Sequence, residues 1–183
     1  MATSMWDEML YKAARDGDLE KLQVAFNRGG RVDWQNWIES SNTCLHVASL
    51  KGHTAVIVWL ISRQSPVNVC NKYFLNTPLH YACAKGHTEA VSTLLQHGAD
   101  ANATDKDGNT PMHWAGSQFD VESLKWLITY NGQVNALNEA GETPLHFASQ
   151  YGHAANILLL CKYGADLNVA DKKYGYTPLH YAC

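Results

Sequence analysis

The chain has 183 residues, 46% of them apolar and 17% charged, and its 14 Lys and Arg against 17 Asp and Glu give a formal net charge of −3. The basic residues are scattered, so there is no stripe to follow a nucleic-acid backbone, and no apolar run approaches the ~20 residues that cross a bilayer. Met1 to Asp7 lacks the basic and apolar regions of a signal peptide, which points to an intracellular protein, cytoplasmic or nuclear, with no direct membrane insertion.

The first predicted element is a helix over Met5 to Arg15, followed by Gly17 and a second helix over Leu19 to Phe26. Ser4 with Asp7 three residues on offers a capping box. Next comes a six-residue phrase written five times: T-C-L-H-V-A at Thr43, T-P-L-H-Y-A at Thr77, T-P-M-H-W-A at Thr110, T-P-L-H-F-A at Thr143 and T-P-L-H-Y-A at Thr177. The starts are 34, 33, 33 and 34 residues apart, the mark of one supersecondary unit stacked along the chain.

Each part of the phrase has a physical reason. The Thr is an N-cap, and the Pro after it stands where a helix needs no N–H. The His three residues on is placed to reach back to the cap, while Leu and Ala face the stack. Gly52, Gly86 and Gly152 end the first helix in the left-handed conformation, each followed by His. A second helix follows, apolar in the third unit at Ala90, Val91, Leu94 and Leu95, and Gly-Ala-Asp at Gly98 and at Gly164 closes the third and fifth units.

These motifs resemble the ankyrin repeat over nearly the whole chain. The resemblance implies an all-α solenoid of stacked helix-turn-helix units joined by β-hairpin-like loops. It divides the chain into a cap repeat over about 4–36, repeats over about 37–70, 71–104, 105–137 and 138–170, and a partial repeat over 171–183. The partial unit stops in its first helix, so the natural chain is expected to continue and to gain stability from a further repeat. It also implies function through surface: a non-enzymatic, monomeric scaffold or adaptor that binds a protein or peptide on its concave face, with no cofactor. The alternative is a targeting domain of a larger enzyme, channel or effector whose catalytic part lies beyond residue 183.

Carrying the family's concave positions over unit by unit gives Trp34, Trp37, Glu39 and Asn42 in the first hairpin and Tyr73, Phe74 and Asn76 in the second. Lys106 and Asn109, Glu142, and Tyr174 and Tyr176 follow in the later hairpins, with Lys85, Gln118 and Tyr151 at the ends of first helices. Aromatics are unusual at solvated tips and typical of interfaces, so Tyr73 and Phe74 read as contacts. Trp34 and Trp37 lie in a 35-residue spacing, and two readings stay open for them: partner contact, or cover for the inserted loop. Tyr81, Trp114, Phe147 and Tyr181 hold one fixed place in the phrase and read as packing between repeats.

Asn68, Asn102, Asn135 and Asn168 resemble the hairpin asparagines that asparaginyl hydroxylases modify in this family, with Asn102 and Asn168, each two residues after an Asp, as the candidates; Asn also simply suits a turn. No catalytic motif is present, because eight of the nine histidines belong to the phrase or to Gly-His, leaving His97. His80 with Cys83 and His180 with Cys183 stand at one-turn spacing but lack the four convergent ligands of a structural metal. The five cysteines read as reduced, mostly buried thiols. Three departures stand out: Leu75 and Ser41 where later hairpins have Gly, with Leu75 predicting an altered tip; Phe119-Asp120 in place of Gly-His; and Gly116 three residues before it, so that the first helix of the fourth unit is expected to end early or to shift. The outer helices 54–62 and 154–162 carry almost no charge, either covered or ordinary apolar surface.

Overall fold

The structure, a computed structural model, describes residues 4–183, so the first three residues of the Met1 to Asp7 segment lie outside it. Eleven helices follow one another in the described chain. The first helix of each unit is α1 (Met5–Asp16), α3 (Cys44–Lys51), α5 (Pro78–Ala84), α7 (Pro111–Gly116), α9 (Pro144–Gln150) and α11 (Pro178–Ala182). The second is α2 (Leu19–Asn27), α4 (Thr54–Ser62), α6 (Thr88–Gln96), α8 (Val121–Thr129) and α10 (Ala154–Lys162). No strand forms among the described residues, and the one isolated bridge there pairs Asn36 with Asn42.

The phrase acts as the sequence predicts. In all five copies the Thr main-chain N–H donates to Nδ1 of the phrase His, at 2.9–3.1 Å. The ring then donates from Nε2 to a carbonyl at the end of the next hairpin: His46 to Asn76, His80 to Asn109, His113 to Glu142 and His146 to Tyr176. Each of these four histidines therefore caps its own helix and ties the next unit to it, which requires a neutral ring with its proton on Nε2. His80 has both nitrogens engaged in this way. Cys44 replaces the usual Pro without moving the helix start.

Leu45, Leu79, Met112 and Leu145 on the first helices pack with Leu22, Leu60, Leu94, Leu127 and Leu160 on the second, all at most 1% exposed, in one continuous apolar core. The aromatic ladder is inter-repeat packing. Tyr81 meets His46, Phe147 meets His113 and Tyr181 meets His146 edge to face, with ring centroids 5.4–5.9 Å apart. Of the cysteines only Cys44 and Cys83 are buried; Cys70 in the hairpin segment, Cys161 on the outer helix α10 and Cys183 after the last turn are exposed, because those places face solvent.

The second histidine class explains the Gly-His pair. His53 seats its ring over Gly17 and His87 over Gly52, so a Cβ on either glycine would lie 2.8 Å from the ring. Gly152 shares the left-handed backbone, φ 68° against 72° at Gly52, but has nothing within 4 Å. Gly152→Ala is therefore expected to cost about 1 kcal/mol for conformation alone. Gly52→Ala should cost about 2 kcal/mol or more, since it also displaces a ring, and urea unfolding of both variants measures the difference.

Of the two outcomes expected for the fourth unit, an early end or a shift of its first helix, the early end is what forms: α7 has six residues against eight in α3. A Cβ at Gly116 would meet the Pro144 carbonyl at 2.8 Å, so glycine permits the close approach of α9. The carbonyls released there are taken up by Asn156, 1% exposed on α10, whose amide donates to Ala115, Gly116 and Gln118. Asp120, in place of histidine, becomes a side-chain N-cap for α8. At the start of the array the predicted box at Ser4 and Asp7 is present, and Arg31 holds the buried Asp7 carboxylate at 2.7 Å.

Candidate functional site

The hairpin tips share one closure. A main-chain N–H at the tip's first residue meets the carbonyl of its last: Asn36 to Asn42, Asn71 to Asn76, Asp105 to Asn109, Asn138 to Glu142 and Asp171 to Tyr176, at 2.8–3.0 Å. The third and fourth tips are the shortest, the second and fifth are one residue longer, and the first is two longer. The extra residues account for the 34- and 35-residue spacings, and both of the one-residue-longer tips carry aromatics.

Leu75 does stand at a left-handed φ of 54°, but it does so where Gly108, Gly141 and Gly175 also have positive φ. The changed shape of that tip comes from its added residue, which the glycine-bearing fifth tip shares, and not from the leucine. Adjacent tips are then joined by main-chain bonds from Lys72 to Ser40, Lys106 to Phe74, Glu139 to Asp107 and Lys172 to Ala140. Buried amides reinforce the row, Asn71 donating to Asn42 and Asn138 to Asn109.

This corrects two of the expected contact residues. Asn42 and Asn109 are 8% and 5% exposed and serve as supports, because the side chain that follows a closing turn is directed at the neighbouring tip. Asn76 and Glu142 are half-buried; their carbonyls accept from the phrase histidines, and the Glu142 carboxylate also accepts from the Asn138 amide. Trp34 is half-buried against Tyr11, with ring centroids 5.9 Å apart, so it packs on the core, whereas Trp37 is exposed. Tyr73, Phe74, Tyr174, Tyr176 and Tyr151 are each roughly half exposed, at 54%, 53%, 57%, 45% and 58%. Glu39, Lys85 and Lys106 are exposed and Gln118 is half-buried.

Electrostatics hold the tips in place. Burial, followed by the nearby Glu39 carboxylate, raises the Tyr11 hydroxyl, which donates to Glu39 at 2.7 Å. Burial and then Asp171 push Tyr181 up to about 12, and its hydroxyl donates to Asp171 at 2.9 Å. Lys173 lies 4.6 Å over the Tyr174 ring, which itself packs on Tyr176 at 5.4 Å.

Of the two asparagines expected as hydroxylation candidates, Asn102 is clipped to the next turn through Asn131 and Gln133, and Asn168 is exposed. Exposed apolar residues outside the expected set are Ile38 at 73% and Phe119 at 87%, the latter edge-on to His153. Ile38 was legible as the residue beside Trp37 in the longest tip. On the outer helices, Val58 and Leu158 are exposed singly.

A row of stacked helix pairs with tips joined through their main chains defines a repeat solenoid. Ankyrin-repeat family models match the chain over residues 45–135, described as three copies, and over 10–61 and 127–182, described as many copies. The chain belongs to the ankyrin repeat family. No curated protein matches its sequence. Ankyrin repeats are generally protein–protein interaction modules and typically non-catalytic, and no helix among the described residues is long and apolar enough to cross a membrane.

Proposed function

We propose that this protein is a scaffold or adaptor that binds a partner protein along its hairpin tips and the adjoining ends of the first helices. One observation carries this reading: the added residues of the second and fifth tips present Tyr73 and Phe74, and Tyr174 and Tyr176, to solvent on loops whose main chain is fixed at both ends. Ordered aromatics lose little entropy on association, and Tyr is among the residue types that dominate interface energetics. The two aromatic tips bracket short polar ones carrying Lys106, Asp107 and Glu139, so the row offers two apolar anchors with a charged centre. The five cysteines are free, which suits a reducing compartment such as the cytoplasm or nucleus.

The double variant Tyr73→Ser with Phe74→Ser tests the proposal. It should leave stability within about 1 kcal/mol, as surface changes do, and weaken binding of a captured partner by about 2 kcal/mol or more. Joint loss of stability and binding would make these aromatics packing residues and remove the main support for the tip surface.

A further inference from the structure

The main-chain ladder that joins the tips has an open end. In the second to fifth tips, the residue after the closing position donates its N–H to a carbonyl of the tip before it, from Lys72, Lys106, Glu139 and Lys172 at 2.8–3.3 Å. The same position in the first tip is Trp37, one residue after Asn36, and its N–H meets no acceptor among the described residues. The four inner positions hold Lys or Glu, which suit a solvated loop. The open one holds a tryptophan that is 67% exposed, followed by Ile38 at 73%.

Beside that edge a cleft of about 290 Å³ separates the first tip from α1, with Tyr11, Trp34, Trp37 and Ile38 among its walls. Its charges balance: Lys12 and Arg15 face Glu8 and Glu39, and Glu39 lies 3.8 Å from Arg15. The volume falls just below the ~300–1,000 Å³ of small-molecule pockets and suits a single large side chain better.

We infer that this edge takes an extended segment of a partner protein that continues the ladder. The segment offers a carbonyl to the Trp37 N–H and seats one large apolar side chain between Trp37, Ile38 and Trp34. An unpaired backbone edge is a template for another chain, and strand addition draws affinity from main-chain bonds and specificity from alternate side chains. Because the rim charges cancel, the segment is uncharged where it crosses the cleft. The inference rests on the tip side being the interaction side, and it narrows that reading to a strand-like partner at the first tip.

The test uses the full chain and a random library of displayed short peptides. Enriched peptides are expected to share a Trp, Phe or Leu with uncharged neighbours, and the best binder should slow exchange of the Trp37 amide by about tenfold or more. Ile38→Asp should weaken that binder about tenfold without lowering the melting temperature, while Tyr73→Ser with Phe74→Ser leaves it within about twofold. Binders that leave the Trp37 amide unprotected, ignore Ile38→Asp and are lost with the Tyr73 and Phe74 changes overturn the inference and keep the broader tip surface. An acidic or basic consensus, or a Trp37 amide already protected in the free protein, overturns it as well. A library with no binder above scrambled peptides overturns both readings.

Discussion

Acidification from pH 6.5 to pH 4 is expected to remove most of the stability of the array. Burial pushes His46 and His113 down to about 4 and lowers His80, whereas in the unfolded chain all three titrate near 6.5. Below pH 6.5 the unfolded state takes up protons that the folded state refuses, so stability is fully present above 6.5 and falls with pH until the folded histidines themselves titrate. His46 and His113 at 1.36 kcal/mol per pH unit each give about 2.7 kcal/mol per unit in mid-window, to which His80 adds in the same direction, a large part of a total near 5–15 kcal/mol. Asp7 acts in a separate range: burial raises it, but the Arg31 hydrogen bonds outweigh that and hold it below 3.8, so its contribution is lost only in stronger acid.

The cause is structural. Nδ1 of each ring accepts from the Thr main chain, and a proton there would set one N–H against another. Urea unfolding between pH 7 and pH 4.5 measures the slope. The double variant His46→Gln with His113→Gln keeps a side chain able to cap and should remove about 2.7 kcal/mol per pH unit from the slope, leaving what His80 contributes. A stability that stays constant across that window would refute the assignment.

Leu79→Ala and Leu145→Ala are each expected to destabilise the array by about 2–5 kcal/mol, because both side chains are 1% exposed and a cavity between repeats cannot collapse easily. Leu179 holds the same place in the phrase but is 71% exposed, so Leu179→Ala should cost no more than about 0.5 kcal/mol. Chemical unfolding of the three variants checks both figures. Equal losses at Leu79 and Leu179 would mean that stacking, and not the phrase itself, has been misjudged as the source of burial.

The repeat phrase made the helix starts, caps and core legible, because Thr, Pro, His and Gly each meet a local demand that leaves few alternatives. Thr43 to His46 and Gly52 could be placed from spacing alone. What the sequence hid was relational. Asn42 and Asn109 read as tip residues, yet each is spent holding a neighbouring asparagine across the unit boundary, a pairing between residues 29 apart. Asn156 looks like an ordinary outer-helix residue, and its role depends on α7 having stopped short at Gly116, 40 residues earlier in the chain and one unit away in space. The extra residue at the second and fifth tips was visible as a spacing of 34, but its place within the unit was not, since any turn could have absorbed it.

The shared closure of the tips has a consequence for how such a chain diversifies. Between Asp105 and Asn109 the loop is short, between Asn71 and Asn76 longer, and between Asn36 and Asn42 longest, yet all three meet the same two anchors. Length and composition at the tip are thus uncoupled from helix register: the stack sees only the anchors, and the segment between them is interchangeable. Insertions that would shear a conventional core leave this one unaware of them, so recognition can drift, lengthen or be exchanged by grafting while the scaffold beneath it stays the same.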